Sequence, residues 1–165
     1  MQTDVTMKVG SLNVRSIRKP AKQKQLLEFF VNSDLDVLNI QETWMDAAFL
    51  IPEEYRKKVR IMHTLPKDSR GEGMMTMTKH KDMNIQSSME LLWAPWLMVT
   101  IIHKAIKNIH KSVGAELRKV VCVNFYRPPK ERLNALNHLR FIISSIKERH
   151  KTNCIIVSGD FNLNP

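Results

Sequence analysis

The chain has little of several features that define other classes of protein. Its 165 residues include two cysteines, Cys122 and Cys154, too few for a disulfide-stabilised secreted scaffold. Both lie in apolar runs, where a free cysteine behaves as a small buried hydrophobe. The most apolar stretch, 91–102, is interrupted by Pro95 and is shorter than the roughly 18 residues that a membrane span needs. The N-terminal residues lack signal-peptide character. These absences predict an intracellular protein that does not enter a membrane.

Acidic residues are also scarce. The chain has 16 of them against 26 basic residues, which gives a net charge of +10. Residues 61–165 carry most of the excess, with 16 basic and 8 acidic groups, whereas residues 1–60 carry 10 and 8. This imbalance favours a polyanionic partner, nucleic acid before membrane, although a basic surface is more often a solvated face. The length and the 43% hydrophobic content predict one globular domain.

Two strand–helix–strand units are predicted, and the first lies near the N-terminus. A short strand over 6–14 is followed by an amphipathic helix over 22–31 and a second strand over 35–42. A polar side chain ends each strand, Asn13 in the first and Glu42 in the second. Because the crossover of a parallel unit is right-handed, both side chains should lie at one edge of a sheet.

The second unit occupies the C-terminal part. A buried strand over 117–126 leads to a helix over 131–149, which has apolar residues every three or four positions. A fully buried strand over 154–159 follows. By the same argument, Tyr126 and Asp160 should lie at one edge of a sheet.

The strand that ends at Gly159 also delivers Asn162, which is separated from Asp160 by one residue, toward the crevice where open α/β sheets usually bind ligands. Gly-Asp-x-Asn is equally good turn chemistry, so this stretch alone does not define a site.

The middle of the chain is less regular. Residues 74–78 alternate like a half-exposed strand, and 91–102 is predicted to be a strand broken at its proline. Residues 103–114 are predicted to form a basic loop or a short helix. His103 and His110 have no carboxylate or cysteine nearby, which argues against a zinc site.

Five short motifs follow one another along the chain. They are Leu12-Asn13-Val14-Arg15-Ser16-Ile17, Gln41-Glu42-Thr43-Trp44, Arg70-Gly71-Glu72-Gly73, Asn124-Phe125-Tyr126-Arg127-Pro128-Pro129 and Gly159-Asp160-Phe161-Asn162. Their order and spacing resemble the endonuclease/exonuclease/phosphatase superfamily, which includes deoxyribonuclease I. The second and fourth motifs favour the apurinic/apyrimidinic-like endonuclease domain of non-LTR retrotransposons. The resemblance covers nearly the whole chain and implies an α/β fold, a two-sheet α/β sandwich of the deoxyribonuclease I-like type.

The resemblance implies a role for each strand-end residue. Glu42 matches the carboxylate that holds a catalytic Mg²⁺, for which Mn²⁺ is an alternative, and Asn13 matches the residue that helps to position metal and phosphate. Asp160 matches the carboxylate that orients or deprotonates the attacking water. Asn162 matches the amide that donates to the pentacovalent phosphate, and Tyr126 resembles a tyrosine that contacts the scissile phosphate.

The implied reaction is Mg²⁺-assisted hydrolysis of a phosphodiester, which nicks one DNA strand so that its 3′ hydroxyl primes reverse transcription. DNA is then the partner and the nucleus the expected location. Arg15, Arg70 and Arg127 are expected to bind DNA by gripping phosphates without reading sequence.

The sequence departs from the family in two places. Glu72 stands between glycines where the family has small residues, and the family's C-terminal Ser-Asp-His type motif has no counterpart, since none of the histidines follows Asp160. We therefore expect a domain over 1–165 that lacks the C-terminal strands of the sandwich and exposes an apolar edge. Because losing one acid or oxyanion donor costs on the order of a hundred to ten thousand fold in rate, we expect little or no nicking.

Three other functions remain open on the sequence. The chain could be a non-catalytic, basic nucleic-acid-binding remnant of a retroelement. A phosphoinositide phosphatase of the same superfamily is disfavoured by the retroelement-type motifs. The last alternative is a transposon relic without a function.

Overall fold

The structure is a computed structural model, and it describes residues 7–64, 73–79, 83–86, 97–106, 116–127, 134–151 and 154–162. Within these residues the elements are β1 (Val9–Asn13), α1 (Pro20–Asn32), β2 (Val37–Gln41), α2 (Glu53–Arg56), β3 (Val59–His63), β4 (Met74–Lys79), β5 (Met83–Gln86), β6 (Leu97–Ile106), β7 (Glu116–Tyr126), α3 (Asn134–His150) and β8 (Ile155–Asp160). No helix in this described part is both long and apolar enough to cross a membrane.

The strands form two mixed sheets of four described strands each. The first sheet has the order β1-β2-β4-β3 and the second β5-β6-β7-β8. The pairs β1/β2 and β7/β8 are parallel, and the other pairs are antiparallel. Each parallel pair is joined through a helix, α1 or α3, so both predicted strand–helix–strand units are present.

The sheets pack face to face, with one helix on each outer face. In β2 the apolar Leu38 and Ile40 point outward and pack against Phe30 and its neighbours on α1. Helix α3 covers the second sheet in the same way, through a cluster that includes Leu139, Ile142, Ile146, Val121 and Val123. The alternate face of each sheet meets the other sheet. The chain is therefore a two-sheet α/β sandwich, as its sequence predicts.

Two predictions about the middle of the chain are wrong. The strand predicted over 74–78 to be half-exposed is buried, because β4 lies between β2 and β3 and has α1 on one side and the second sheet on the other. Residues 103–106, predicted to be loop or helix, continue β6 because they pair with β7. Residues 91–96 and 107–115 lie outside the described residues.

The C-terminal strand is less buried than its sequence predicts. Every residue of β8 is partly exposed, because β8 is the last described strand of its sheet and has a neighbour on one side, β7. Cys154, predicted to be buried, is exposed, whereas Cys122 is fully buried on β7. An apolar sequence therefore identified the strand, but its position in the sheet determined its exposure.

Candidate active site

Two strand ends from opposite sheets meet at the candidate site. Strands β1 and β8 belong to different sheets but contact each other, and both end at the same edge of the sandwich. Asn13 is the last residue of β1, and Asp160 is the last residue of β8. Glu42 follows the last residue of β2, which is parallel to β1. The fold thus brings together three polar side chains that are distant in sequence.

The Asn13 side chain joins the two carboxylates directly. Its Nδ2 donates to Glu42 Oε1 and to Asp160 Oδ2, both at 2.8 Å, the second of these across 147 positions of sequence. Its Oδ1 accepts the backbone N–H of Arg15 at 3.1 Å, which sets the orientation of the amide. The NH₂ group of the amide therefore points toward the two carboxylates, and its oxygen points toward the backbone of Arg15.

This group of residues suits a hard cation with oxygen ligands. Both carboxylate oxygens are 2.8 Å from one nitrogen, so they cannot be farther apart than twice that distance. Oxygens that flank one octahedral Mg²⁺ are about 3 to 4 Å apart, which falls inside that limit. Among the described residues, no group of three or more His, Cys, Asp and Glu side chains could hold a metal ion. Two carboxylates fit Mg²⁺, which keeps several waters, better than zinc.

The turn after β8 is held by Asp160 itself. Its Oδ1 accepts the backbone N–H of Asn162 at 3.0 Å, and Asn162 has a positive φ of 42°. The Asn162 side chain donates from Nδ2 to the carbonyl oxygen of Arg127 at 2.6 Å. Asn162 therefore lies beside Asp160, with one of its two amide hydrogens directed at the end of β7.

Gly159 is required by the close approach of β7 to β8. It has a φ of 154°, and a Cβ at this position would lie 1.7 Å from the carbonyl oxygen of Phe125. A side chain here would push β8 away from β7 and displace Asp160, the next residue.

The loops around the site contain unusual backbone conformations. Positive φ values occur at Arg15, Ser16, Glu42, Trp44 and Asn162. Each such non-glycine residue costs on the order of 1–3 kcal/mol and needs support from its surroundings. Backbone hydrogen bonds provide it: the Ser16 N–H donates to the Glu42 carbonyl at 2.8 Å, and the Thr43 N–H donates to the Gly73 carbonyl at 3.0 Å. The loop after β2 is thus tied both to the loop after β1 and to the start of β4.

The remaining predicted site residues differ in placement. Tyr126 pairs with Asp160 in the sheet register, is 6% exposed and packs with Met74 and Met98. Arg15 is exposed next to the site. Arg127 follows β7 and contacts the turn after β8, and Arg70 lies outside the described residues. The chemical roles of all these residues stay predictions.

A buried polar network beneath the site was not predicted. Gln41 donates from Nε2 to Asn124 Oδ1 at 2.7 Å, and Asn124 donates from Nδ2 to the carbonyl oxygens of residues 40 and 75. Farther from the site, Asn39 donates to Ser158 Oγ at 2.7 Å and accepts from Thr76 Oγ1 at 2.8 Å. The Asn39–Thr76 bond lies within the first sheet, between β2 and β4. The other bonds cross between the two sheets and fix how the strands that carry Glu42 and Asp160 face each other.

The sequence does contain a signal for this network. Asn39 and Gln41 alternate with apolar residues in a strand whose five residues are all buried. Because buried polar side chains need hydrogen-bond partners, such an alternation indicates a polar surface facing another polar surface. Asn124 likewise follows four apolar residues within β7.

Three solved structures that resemble this chain have the endonuclease/exonuclease/phosphatase fold, and the chain has this fold too. One is the endonuclease domain of TRAS1, a telomere-specific non-LTR retrotransposon, with a TM-score of 0.61 and 15% identity over 97% of this chain and 61% of that one. Another is the 3′ phosphatase NExo from Neisseria bound to a product DNA hairpin, with a TM-score of 0.54 and 14% identity over 97% of this chain and 59% of that one.

A third similar structure is TDP2 from D. rerio complexed with a single-strand DNA product, with a TM-score of 0.50 and 16% identity over 96% of this chain and 62% of that one. No protein-family model matches the chain, and no curated protein matches it in sequence. The chain spans about three fifths of the length of these three structures, which are 61%, 59% and 62% covered. At such identities the likeness establishes the fold.

Proposed function

We propose that the chain is a Mg²⁺-dependent phosphodiester hydrolase that nicks DNA, of the retrotransposon endonuclease type. The observation that carries the proposal is the Asn13 amide, which donates to both Glu42 and Asp160. The fold of the TRAS1 endonuclease domain supports the retroelement assignment, and the DNA products in the NExo and TDP2 structures support DNA as the substrate. The net charge of +10 suits a polyanion. A retroelement nuclease of this kind acts in the nucleus.

Each residue of the site has a role in this proposal. Glu42 and Asp160 are the carboxylates that hold Mg²⁺, which when bound polarises the phosphate and eases deprotonation of water. Asp160 also orients the attacking water and takes its proton, since each carboxylate oxygen has a second lone pair beyond the described hydrogen bond. Asn13 keeps the two carboxylates in a fixed mutual orientation.

The residues around the carboxylates hold the phosphates. The second amide hydrogen of Asn162 donates to an oxygen of the reacting phosphate, since the first donates to the Arg127 carbonyl. Tyr126 borders the scissile phosphate from the neighbouring strand. Arg15 and Arg70 contact the flanking phosphates of the DNA strand.

Nicking of supercoiled plasmid DNA tests the proposal. The protein is used in excess over plasmid, with Mg²⁺ or with EDTA, so that slow cleavage is detected. Since no described histidine joins the carboxylates, we expect a rate on the order of a hundred to ten thousand fold below that of a site with a general acid. Cleavage should require Mg²⁺ and should disappear in Glu42→Ala. Glu54→Ala removes an exposed carboxylate of α2 and should cleave at the wild-type rate.

Other outcomes distinguish the competing functions. Plasmid retention that weakens steeply with salt, without Mg²⁺-dependent nicking above the Glu42→Ala background, overturns the hydrolase proposal in favour of a DNA-binding module. Release of phosphate from inositol phosphates in place of nicking favours a phosphatase. If Glu42→Ala nicks at the same rate as the wild type, Glu42 is not part of the active site.

A further inference from the structure

Arg127 is bound to the turn that carries Asp160 and Asn162. Its backbone N–H donates to the Asp160 carbonyl at 2.8 Å. Its Nη1 donates to the carbonyl oxygens of Phe161 and Asn162, at 3.4 and 3.3 Å. In return, its own carbonyl accepts the Asn162 side chain at 2.6 Å. The contact between Arg127 and the turn therefore runs in both directions, through main chain and side chain.

The turn needs such an external support. Asn162 is in a left-handed conformation, which costs energy for a non-glycine residue, and β8 ends two residues earlier, at Asp160. The two carbonyls that Arg127 contacts belong to residues beyond the last position of β8, and no described strand pairs with the backbone there. Because both hydrogen bonds from Nη1 are long, each is weak, but together they orient the turn against the end of β7.

An arginine suits this position better than a lysine. The planar guanidinium presents its donors in a rigid fork, so one nitrogen can face two adjacent carbonyls while the other nitrogens point elsewhere. A lysine ammonium is a flexible, strongly hydrated point charge and does not impose that direction.

We propose that Arg127 is a positioning residue that fixes Asp160 and Asn162, and that contact with DNA phosphates is not its main role. The proposal rests on the hydrolase function proposed above, and it replaces the sequence-based prediction that Arg127 grips DNA. Arg15 provides the contrast, because it is exposed beside the site and is one of the basic residues proposed to contact phosphates.

The test compares Arg127→Lys, Arg127→Ala and Arg15→Ala in single-turnover nicking and in DNA binding at several salt concentrations. If Arg127 positions the turn, both of its variants lose at least about tenfold in rate at saturating DNA, and their affinities stay within about twofold with an unchanged salt slope. Arg15→Ala should instead weaken binding and reduce the salt slope by about one. The proposal is overturned if Arg127→Lys nicks at the wild-type rate and Arg127→Ala shows a reduced salt dependence of DNA binding.

A second measurement does not depend on activity. The backbone N–H of Asn162 donates to Asp160 Oδ1, so its hydrogen exchange reports whether the turn is held. Exchange at this amide should be at least about tenfold faster in Arg127→Lys, while amides in the centre of β7 exchange as in the wild type. Unchanged exchange at Asn162 refutes the positioning role even if the wild type does not nick. Absence of nicking with faster exchange rejects the hydrolase function alone.

Discussion

Replacing Asn124 by alanine tests whether the buried polar network holds the two sheets together beneath the site. Asn124 is fully buried, and its side chain makes three hydrogen bonds: one from Gln41 at 2.7 Å and two to the carbonyls of Ile40 and Met75, at 3.1 and 2.9 Å. Alanine keeps the strand but removes all three and leaves the Gln41 amide without this acceptor. At about 1–1.5 kcal/mol for each of the three bonds, we expect a loss of about 3–4.5 kcal/mol in the free energy of unfolding.

Urea unfolding measures this loss. With an m-value of about 2 kcal/mol per molar urea, the midpoint should fall by about 2 M without a change of slope. Ser144→Ala is a matched control, because it removes one exposed hydrogen bond within α3 and should change stability by less than about 0.5 kcal/mol. A double-mutant cycle with Gln41→Ala should give a coupling of at least about 1 kcal/mol. The structural role of the network is refuted if Asn124→Ala lowers the free energy of unfolding by less than about 1 kcal/mol. It is also refuted if the effects of Asn124→Ala and Gln41→Ala are additive.

Three further predictions follow from single residues. Gly159→Ala should cost about 3 kcal/mol or more, because its Cβ would overlap the Phe125 carbonyl. Gly10→Ala meets only the flexible methyl ends of Leu35 and Leu38 and should cost less than about 1 kcal/mol, so equal urea midpoints for the two variants refute this. Burial lowers the pKa of His63 in the folded state, so the unfolded state takes up more protons below about pH 6.5. The free energy of unfolding should therefore decrease as the pH is lowered below about 6.5, and this decrease should be smaller in His63→Gln. Burial raises the pKa of the Cys122 thiol to about 12, so a thiol reagent at pH 8 should label one cysteine, the exposed Cys154, in the native chain and both in urea; two rapid native labels contradict this.

The sequence predicted the parts of the fold that depend on local pattern and on chirality. The apolar spacing identified α1 and α3 within a few residues of their observed bounds, and the right-handed crossover placed Asn13 and Glu42 at one edge. Tyr126 and Asp160, predicted to lie at one edge of a sheet, do so, since they are paired at the ends of β7 and β8.

Properties that depend on long-range packing were not predicted. An alternating strand such as β4 is buried only because another sheet covers its second face, and an apolar strand such as β8 is partly exposed because it ends its sheet. Neither fact is encoded within the strand itself. The same holds for Arg127, whose contact with the turn after β8 depends on how β7 and β8 end side by side.

The most direct test of the account is Mn²⁺ binding, measured by the loss of the free-ion electron paramagnetic resonance signal and by competition with Mg²⁺. If Glu42 and Asp160 hold one ion together, the chain binds one Mn²⁺ that Mg²⁺ displaces, and Glu42→Gln and Asp160→Asn each weaken binding at least about tenfold. Unchanged Mn²⁺ affinity in either variant would contradict a shared site.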